Sequence, residues 1–148
     1  MPIIEHRFNV RARSEAVESL LSDFTKVYYL FPSFLSAEKA EDSYHWYLKS
    51  KEELEAGTPF LTARLLKQEP GLVQWEATSP TLIWQGTFEW KALKDHTQIT
   101  LRLEIEDVGL GGSMHEALLS VELPDLARFF QNRTAEILES KPWLNGLP

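Results

Sequence analysis

Two neighbouring segments constrain the fold more than any other feature of the chain. From Leu82 to Ala92, Leu82, Trp84, Gly86, Phe88 and Trp90 alternate with Ile83, Gln85, Thr87, Glu89 and Lys91. After Lys94-Asp95-His96 the alternation resumes, with Ile99, Leu101, Leu103 and Ile105 against Thr100, Arg102, Glu104 and Glu106. Side chains point to opposite faces at successive strand positions, so each segment has one greasy face and one charged face. Two such strands joined by a short polar turn predict an antiparallel sheet with a single covered side. The rest of the chain must supply further strands and the cover.

Further strands are legible on both sides. Ile4, His6, Phe8 and Val10 alternate with Glu5, Arg7 and Asn9, which predicts a strand over 3–10. Aromatic and β-branched runs over about 34–40, 43–49, 59–68 and 72–78 are separated by turn chemistry at Glu41-Asp42-Ser43, Pro70-Gly71 and Ser79-Pro80. With 82–92 and 97–107 the total is about seven. In the 59–68 run, Leu61, Ala63 and Leu65 form a wholly apolar set, so Arg64 is expected on the outside. Between the first two strands, Ser14 is a good N-cap and Glu15 an anion in the first turn. Val17, Leu20, Leu21 and Phe24 then follow at helical spacing, and a second short helix fits Lys26 to Leu30, because Pro32 disfavours helical geometry at Phe31.

The cover comes last. Gly109, Gly111 and Gly112 break the strand and read as a hinge or lid, and Ser113 to Glu116 fits a capping box opening a short helix over 114–121. Pro124 kinks that helix or starts the next. Leu123, Leu126, Ala127, Phe130, Thr134, Ile137 and Leu138 keep helical spacing for about four turns, and Pro142 marks the stop. The class is α+β: a curved antiparallel sheet, two short helices after strand 1, and a long C-terminal helix over the concave face. No repeat or linker divides the chain, so 1–148 reads as one domain with an ordered core of about 2–141.

The order and several motifs resemble the START-related helix-grip superfamily, which includes the polyketide cyclase/dehydrase-like and coenzyme Q-binding-like proteins and the birch-pollen-allergen fold. The resemblance rests on a first strand followed by Ala12-Arg13-Ser14-Glu15-Ala16-Val17, then Leu21-Ser22-Asp23-Phe24 running into Phe31-Pro32-Ser33-Phe34. It rests also on Gly86-Thr87-Phe88-Glu89-Trp90 and on Thr97-Gln98-Ile99 after a polar turn. The chain departs from the commoner pattern by placing Phe88 where tryptophan is frequent. The resemblance spans nearly the whole chain and implies a START-like ligand-binding domain with an apolar cavity between sheet and helix. A lipid, a quinone or a polyketide-like molecule would be carried there.

Composition narrows the chemistry. A net charge of −7 argues against a nucleic-acid partner, which needs a basic face to displace phosphate counterions. No apolar run approaches a membrane span, and the opening residues do not look like a secretory signal, so a cytoplasmic protein is expected. With no cysteine and four scattered histidines, no metal site, cofactor or catalytic set is predicted. The cavity wall would comprise Phe8, Trp46, Trp75, Trp84, Phe88, Trp90, Leu101, Leu103, Leu126 and Phe130, and these rings could equally fill a core. His6, His115 and Thr134 are the polar positions expected to point inward, and each also has a plain structural reading: a core histidine with a partner, or a threonine bonded back to its helix.

Binding of a hydrophobic small molecule is therefore the favoured function. A cyclase- or hydratase-type enzyme using His6 or His115 is the alternative. A third reading is an interaction module docking through the outer sheet or the Tyr28-Tyr29 helix, with transient membrane or protein contact left open.

Overall fold

The computed structural model describes residues 3–32, 34, 36–47, 61–80, 82–107 and 112–139, and within the last two ranges the side chains of 107 and 112–122 lie outside the description. Seven strands form one antiparallel sheet: β1 (Ile3–Val10), β2 (Ser36–Lys39), β3 (Tyr44–Tyr47), β4 (Leu61–Glu69), β5 (Leu72–Thr78), β6 (Leu82–Ala92) and β7 (Thr97–Asp107). Their spatial order is β1-β7-β6-β5-β4-β3-β2. Strands β2 to β7 are a run of hairpin neighbours, and β1 returns to close the far edge against β7. Helix α1 (Ser14–Leu21) and a 3-10 helix (Val27–Leu30) occupy the connection between β1 and β2, and α2 (Gly112–Glu139) ends the described chain.

The long alternating segments form β6 and β7 as expected, paired from Leu82 with Asp107 to Ala92 with Thr97. Their apolar members Trp84, Phe88, Ile99, Leu101, Leu103 and Ile105 are buried. Strand β2 is shorter than the run over 34–40 that predicted it, and β3 covers the middle of the run over 43–49, whose residues 48 and 49 lie outside the described residues. In β4 the apolar set wins: Leu61 and Ala63 are buried, Leu65 is half-buried, and Arg64 is exposed opposite Glu76. A bulge between Leu65 and Lys67 then leaves Leu66 unpaired and exposed, which re-aims the end of the strand. Gly71 follows Pro70 at φ 79°, the left-handed value that a Pro-Gly turn requires at its second central position.

Two expectations about helix ends are corrected. Ser14 is not the N-cap of α1. It is the first helical residue, the cap is Arg13, and no side chain caps the end. The Arg13 carbonyl accepts from the N–H groups of Ala16 and Val17, so its backbone carries the start of the helix. Of the two readings left for Pro124, that it starts a new helix does not hold, and the short helix expected over 114–121 is part of a longer one. Helix α2 runs unbroken from Gly112 to Glu139 with Pro124 inside it, where proline withholds one N–H from the ladder. The segment's apolar stripe offsets that loss: Leu123, Ala127, Phe130, Thr134 and Leu138 are buried, and the helix packs on β1, β7 and the 3-10 helix. Gly109, Gly111 and Pro142 lie outside the described residues, as do the side chains of Ser113, His115 and Glu116.

Candidate functional site

Between the sheet and the helices the inner face gathers large rings. Phe88 of β6 stacks on Phe130 of α2, with centroids 5.4 Å apart and planes 21° from parallel. Phe8 of β1 meets the same Phe130 edge-on at 5.9 Å. Trp75 lies 5.6 Å from Phe88 and 5.7 Å from Trp46. Trp84 joins through Phe31 and Phe34 at 6.0 and 5.9 Å. Such offset and edge-on pairs suit the negative face and positive rim of aromatic rings.

Register explains how three indoles fit one face. Trp75 sits opposite Gly86, Trp84 opposite Ala77, and Trp46 opposite Ala37. Each large ring therefore has a small cross-strand neighbour over which it can lie. The Gly86 contact is the tightest, because a Cβ built there would stand 2.1 Å from Cε2 of Trp75. Helix and turn residues complete the cluster from above. Asp23 accepts from the backbone N–H and the hydroxyl of Thr25, while its carbonyl accepts from the N–H groups of Lys26 and Val27. This local turn bends the chain between α1 and the 3-10 helix and sets both Phe24 and Phe31 inward.

The polar atoms are the unusual part. Among the described residues, the Nε1 groups of Trp46, Trp75 and Trp84 and the hydroxyls of Ser22 and Thr134 are buried with no hydrogen-bond partner. Thr134 is fully enclosed, and its hydroxyl is not bonded back to the helix, so the structural reading expected for it does not hold. Buried polar groups are paired in the large majority of cases, and leaving one unpaired costs about 1–3 kcal/mol. Three of these unpartnered groups belong to the indoles of one ring cluster, where phenylalanine would fill the space without an orphaned donor.

The structure brings together most of the residues expected to line a cavity. Phe8, Trp46, Trp75, Trp84, Phe88 and Phe130 share the ring cluster, Leu101 and Leu103 are buried beneath it, and Leu126 is half-buried at its margin. Trp90 stands apart. It lies at the opposite end of β6, beside a surface depression shared with Ser14, Glu15, Glu18 and Gly71. His6 is half-buried next to Phe8, and its Nε2 lies 2.6 Å from Oε1 of Gln131. That bond calls for the Nε2–H tautomer, so the ring's described contact is structural. His115 lies on α2, with its side chain outside the description.

Phe24, Phe31 and Phe34 belong to the cluster although inner-strand alternation could not select them. The available signal was the apolar residue before Pro32 at the end of a short helix. Elsewhere, a depression of about 480 Å³ is ringed by Arg11, Arg13, Lys94, Glu15, Asp95 and Glu139, a balanced set of charges that selects neither sign of ligand. Among the described residues no three His, Asp or Glu side chains converge as a metal site needs, and no helix is long and apolar enough to cross a membrane.

No protein-family model matches the chain, and no curated protein does. Solved structures do. Zhui aromatase/cyclase from Streptomyces sp. R1128 matches at TM-score 0.69 and 18% identity, over 95% of this chain and 94% of that one. A START superfamily protein from Mycobacterium smegmatis matches at TM-score 0.66 and 15% identity, over 91% and 98%. A conserved protein from Geobacillus kaustophilus gives 0.65 and 17%, over 93% and 95%. The chain has the helix-grip fold of START-superfamily proteins and aromatase/cyclases. At these identities the likeness is one of fold.

Proposed function

We propose that the protein binds or carries a hydrophobic small molecule in the interior between the sheet and α2. The observation that carries this reading is the set of three buried indole N–H groups, without a partner among the described residues, on an otherwise apolar, ring-lined face. A ligand that enters such a site gains apolar burial and supplies partners that the chain itself does not. Phe8, Trp46, Trp75, Trp84, Phe88, Leu101, Leu103, Phe130 and Thr134 form the proposed wall, with His6 and Leu126 at its margin; His115 and Trp90 belong to it only if the ligand extends beyond the ring cluster. The fold shared with an aromatase/cyclase and a START protein supports the reading, since an interior between sheet and helix is what that fold makes available.

Gently purified protein measured by native mass spectrometry, beside the same sample denatured, should show a mass difference corresponding to an apolar molecule. A panel of acyl chains, quinones and aromatic carbonyl compounds should also raise the melting temperature, because a ligand bound only by the folded state stabilises it by mass action. No mass difference together with no thermal shift from any of the panel defeats the proposal.

A further inference from the structure

One side chain in the ring cluster differs from the rest in how the chain carries it. Phe31 is on neither a strand nor a helix. It follows the 3-10 helix in extended geometry, φ −114° and ψ 144°, as a residue before proline must. Its ring is nevertheless buried at the centre of the cluster, 6.1 Å from Trp46, 5.8 Å from Trp75, 6.0 Å from Trp84 and 5.5 Å from Phe130. It therefore touches all three indoles whose N–H groups have no partner among the described residues. A benzyl ring satisfies none of these groups.

The backbone of strand residues such as Phe88 is fixed by the sheet ladder. Phe31 lies outside that ladder, on a bend after the 3-10 helix. The segment is tied to α2 from outside by Arg133, whose guanidinium carbon lies 4.0 Å from the exposed Tyr29 ring and 4.8 Å from Phe129. A contact of that kind can be broken and remade without unfolding either helix.

We infer that Phe31 is a resident plug holding the seat of the ligand's ring, and that the indole N–H groups of Trp46, Trp75 and Trp84 select a rigid apolar molecule bearing carbonyl-type acceptors. The inference rests on the interior-binding reading and deepens it. A bare acyl chain would leave the donors as unpaired as Phe31 does, whereas a carbonyl oxygen, with two lone pairs, can take one or two of them. Each buried donor so paired raises affinity about tenfold over the matched hydrocarbon. Ejecting the plug lowers the apparent affinity, because only the fraction of molecules with Phe31 displaced can bind.

Fluorenone and fluorene test this directly, sharing one flat tricyclic frame and differing in a carbonyl, with palmitate as the acyl-chain control. Affinities are read by calorimetry on the whole chain, wild type and Phe31→Ala, and the indole N–H groups by proton–nitrogen correlation spectra assigned with Trp→Phe variants. Fluorenone should bind wild type about tenfold tighter than fluorene. It should move the indole peaks of Trp46, Trp75 or Trp84 but not that of Trp90, and should bind Phe31→Ala more tightly still. Phe31→Leu, which keeps most of the bulk and loses the ring, should shift the same way by less and serves where the alanine variant does not fold. Equal affinity for the two tricyclics overturns the acceptor assignment, and affinity that is unchanged or weaker in the Phe31 variants overturns the plug. Palmitate binding with no preference for fluorenone leaves interior binding standing and defeats this inference alone. Absence of binding by all three compounds to every variant defeats both.

Discussion

The two ends of the inner face are built from the same kinds of residue and treat their polar groups in opposite ways. At one end, where β6 and β7 meet their turn, buried Thr97 donates its hydroxyl to the Ala12 carbonyl at 2.8 Å, and the Trp90 backbone N–H donates to Gly71 at 3.0 Å. At the other, the equally buried indole N–H groups of Trp46, Trp75 and Trp84 have no partner among the described residues. The first end ties the β1–α1 link and the β4–β5 turn to the sheet through these two bonds. The second gathers its donors beneath a removable ring. Sheet and helix alone do not dictate this asymmetry. An end serving only stability has no reason to keep orphaned donors.

The sharpest way to break the comparison is to press on the unpaired end. Gly86→Ala places a methyl group within 2.1 to 2.6 Å of three atoms of the Trp75 indole. The ring must shift against Trp46, Phe24, Phe31 and Phe88, so the loss should reach about 3 kcal/mol, at the upper end for overpacking. Denaturant titration should show a lower midpoint with an unchanged slope. A loss below about 1 kcal/mol would mean that Trp75 rotates freely out of the cluster, and the fixed geometry of its N–H would go with it.

The threonines give the cleanest internal control, because valine nearly matches threonine in shape and only the hydroxyl changes. Thr97→Val should cost about 1 kcal/mol, since it strips a hydrogen bond and leaves the Ala12 carbonyl with one partner fewer. Thr134→Val should cost nothing or stabilise by up to about 1 kcal/mol, because it removes a desolvated group that gained no bond in folding. Thermal denaturation of the two variants side by side decides it. Equal losses would show that Thr134 has a partner in solution, and the unpaired groups on the inner face would then be the indoles alone.

Much of this architecture could be read from the chain, for a physical reason that also marks where reading failed. Alternation in 82–92 and 97–107 reports which side is wet, and that information is local, so β6, β7 and their inner residues were legible. The helical spacing from Leu123 to Leu138 was legible on the same ground. Pro124 left two readings open because a proline's cost is local while its compensation, the packing of α2 on β1 and β7, is not. Register was out of reach too: that Gly86, Ala77 and Ala37 face the three indoles follows only from which strand lies beside which. Phe31 is the largest omission. Its burial is fixed by the turn at Asp23 and by its place before Pro32, and no period of two or 3.6 passes through it.

The smallest effect concerns what holds that segment down. Arg133 stacks over Tyr29 across a surface where both groups meet water, so the pair is worth about 0.5–1 kcal/mol. A double-mutant cycle with Arg133→Ala and Tyr29→Ala should return a coupling of that size, and Arg133→Lys should keep part of it, because an ammonium retains the charge but not the flat stacking surface. At the paired end, Ala12 and Gly71 are held by hydrogen bonds to the sheet, and no comparable side-chain stack is needed there. A coupling of zero would mean that the 3-10 helix is held only by its buried residues Val27 and Leu30 together with Phe31. Expelling Phe31 would then loosen the whole segment, and plug and tether would be one element.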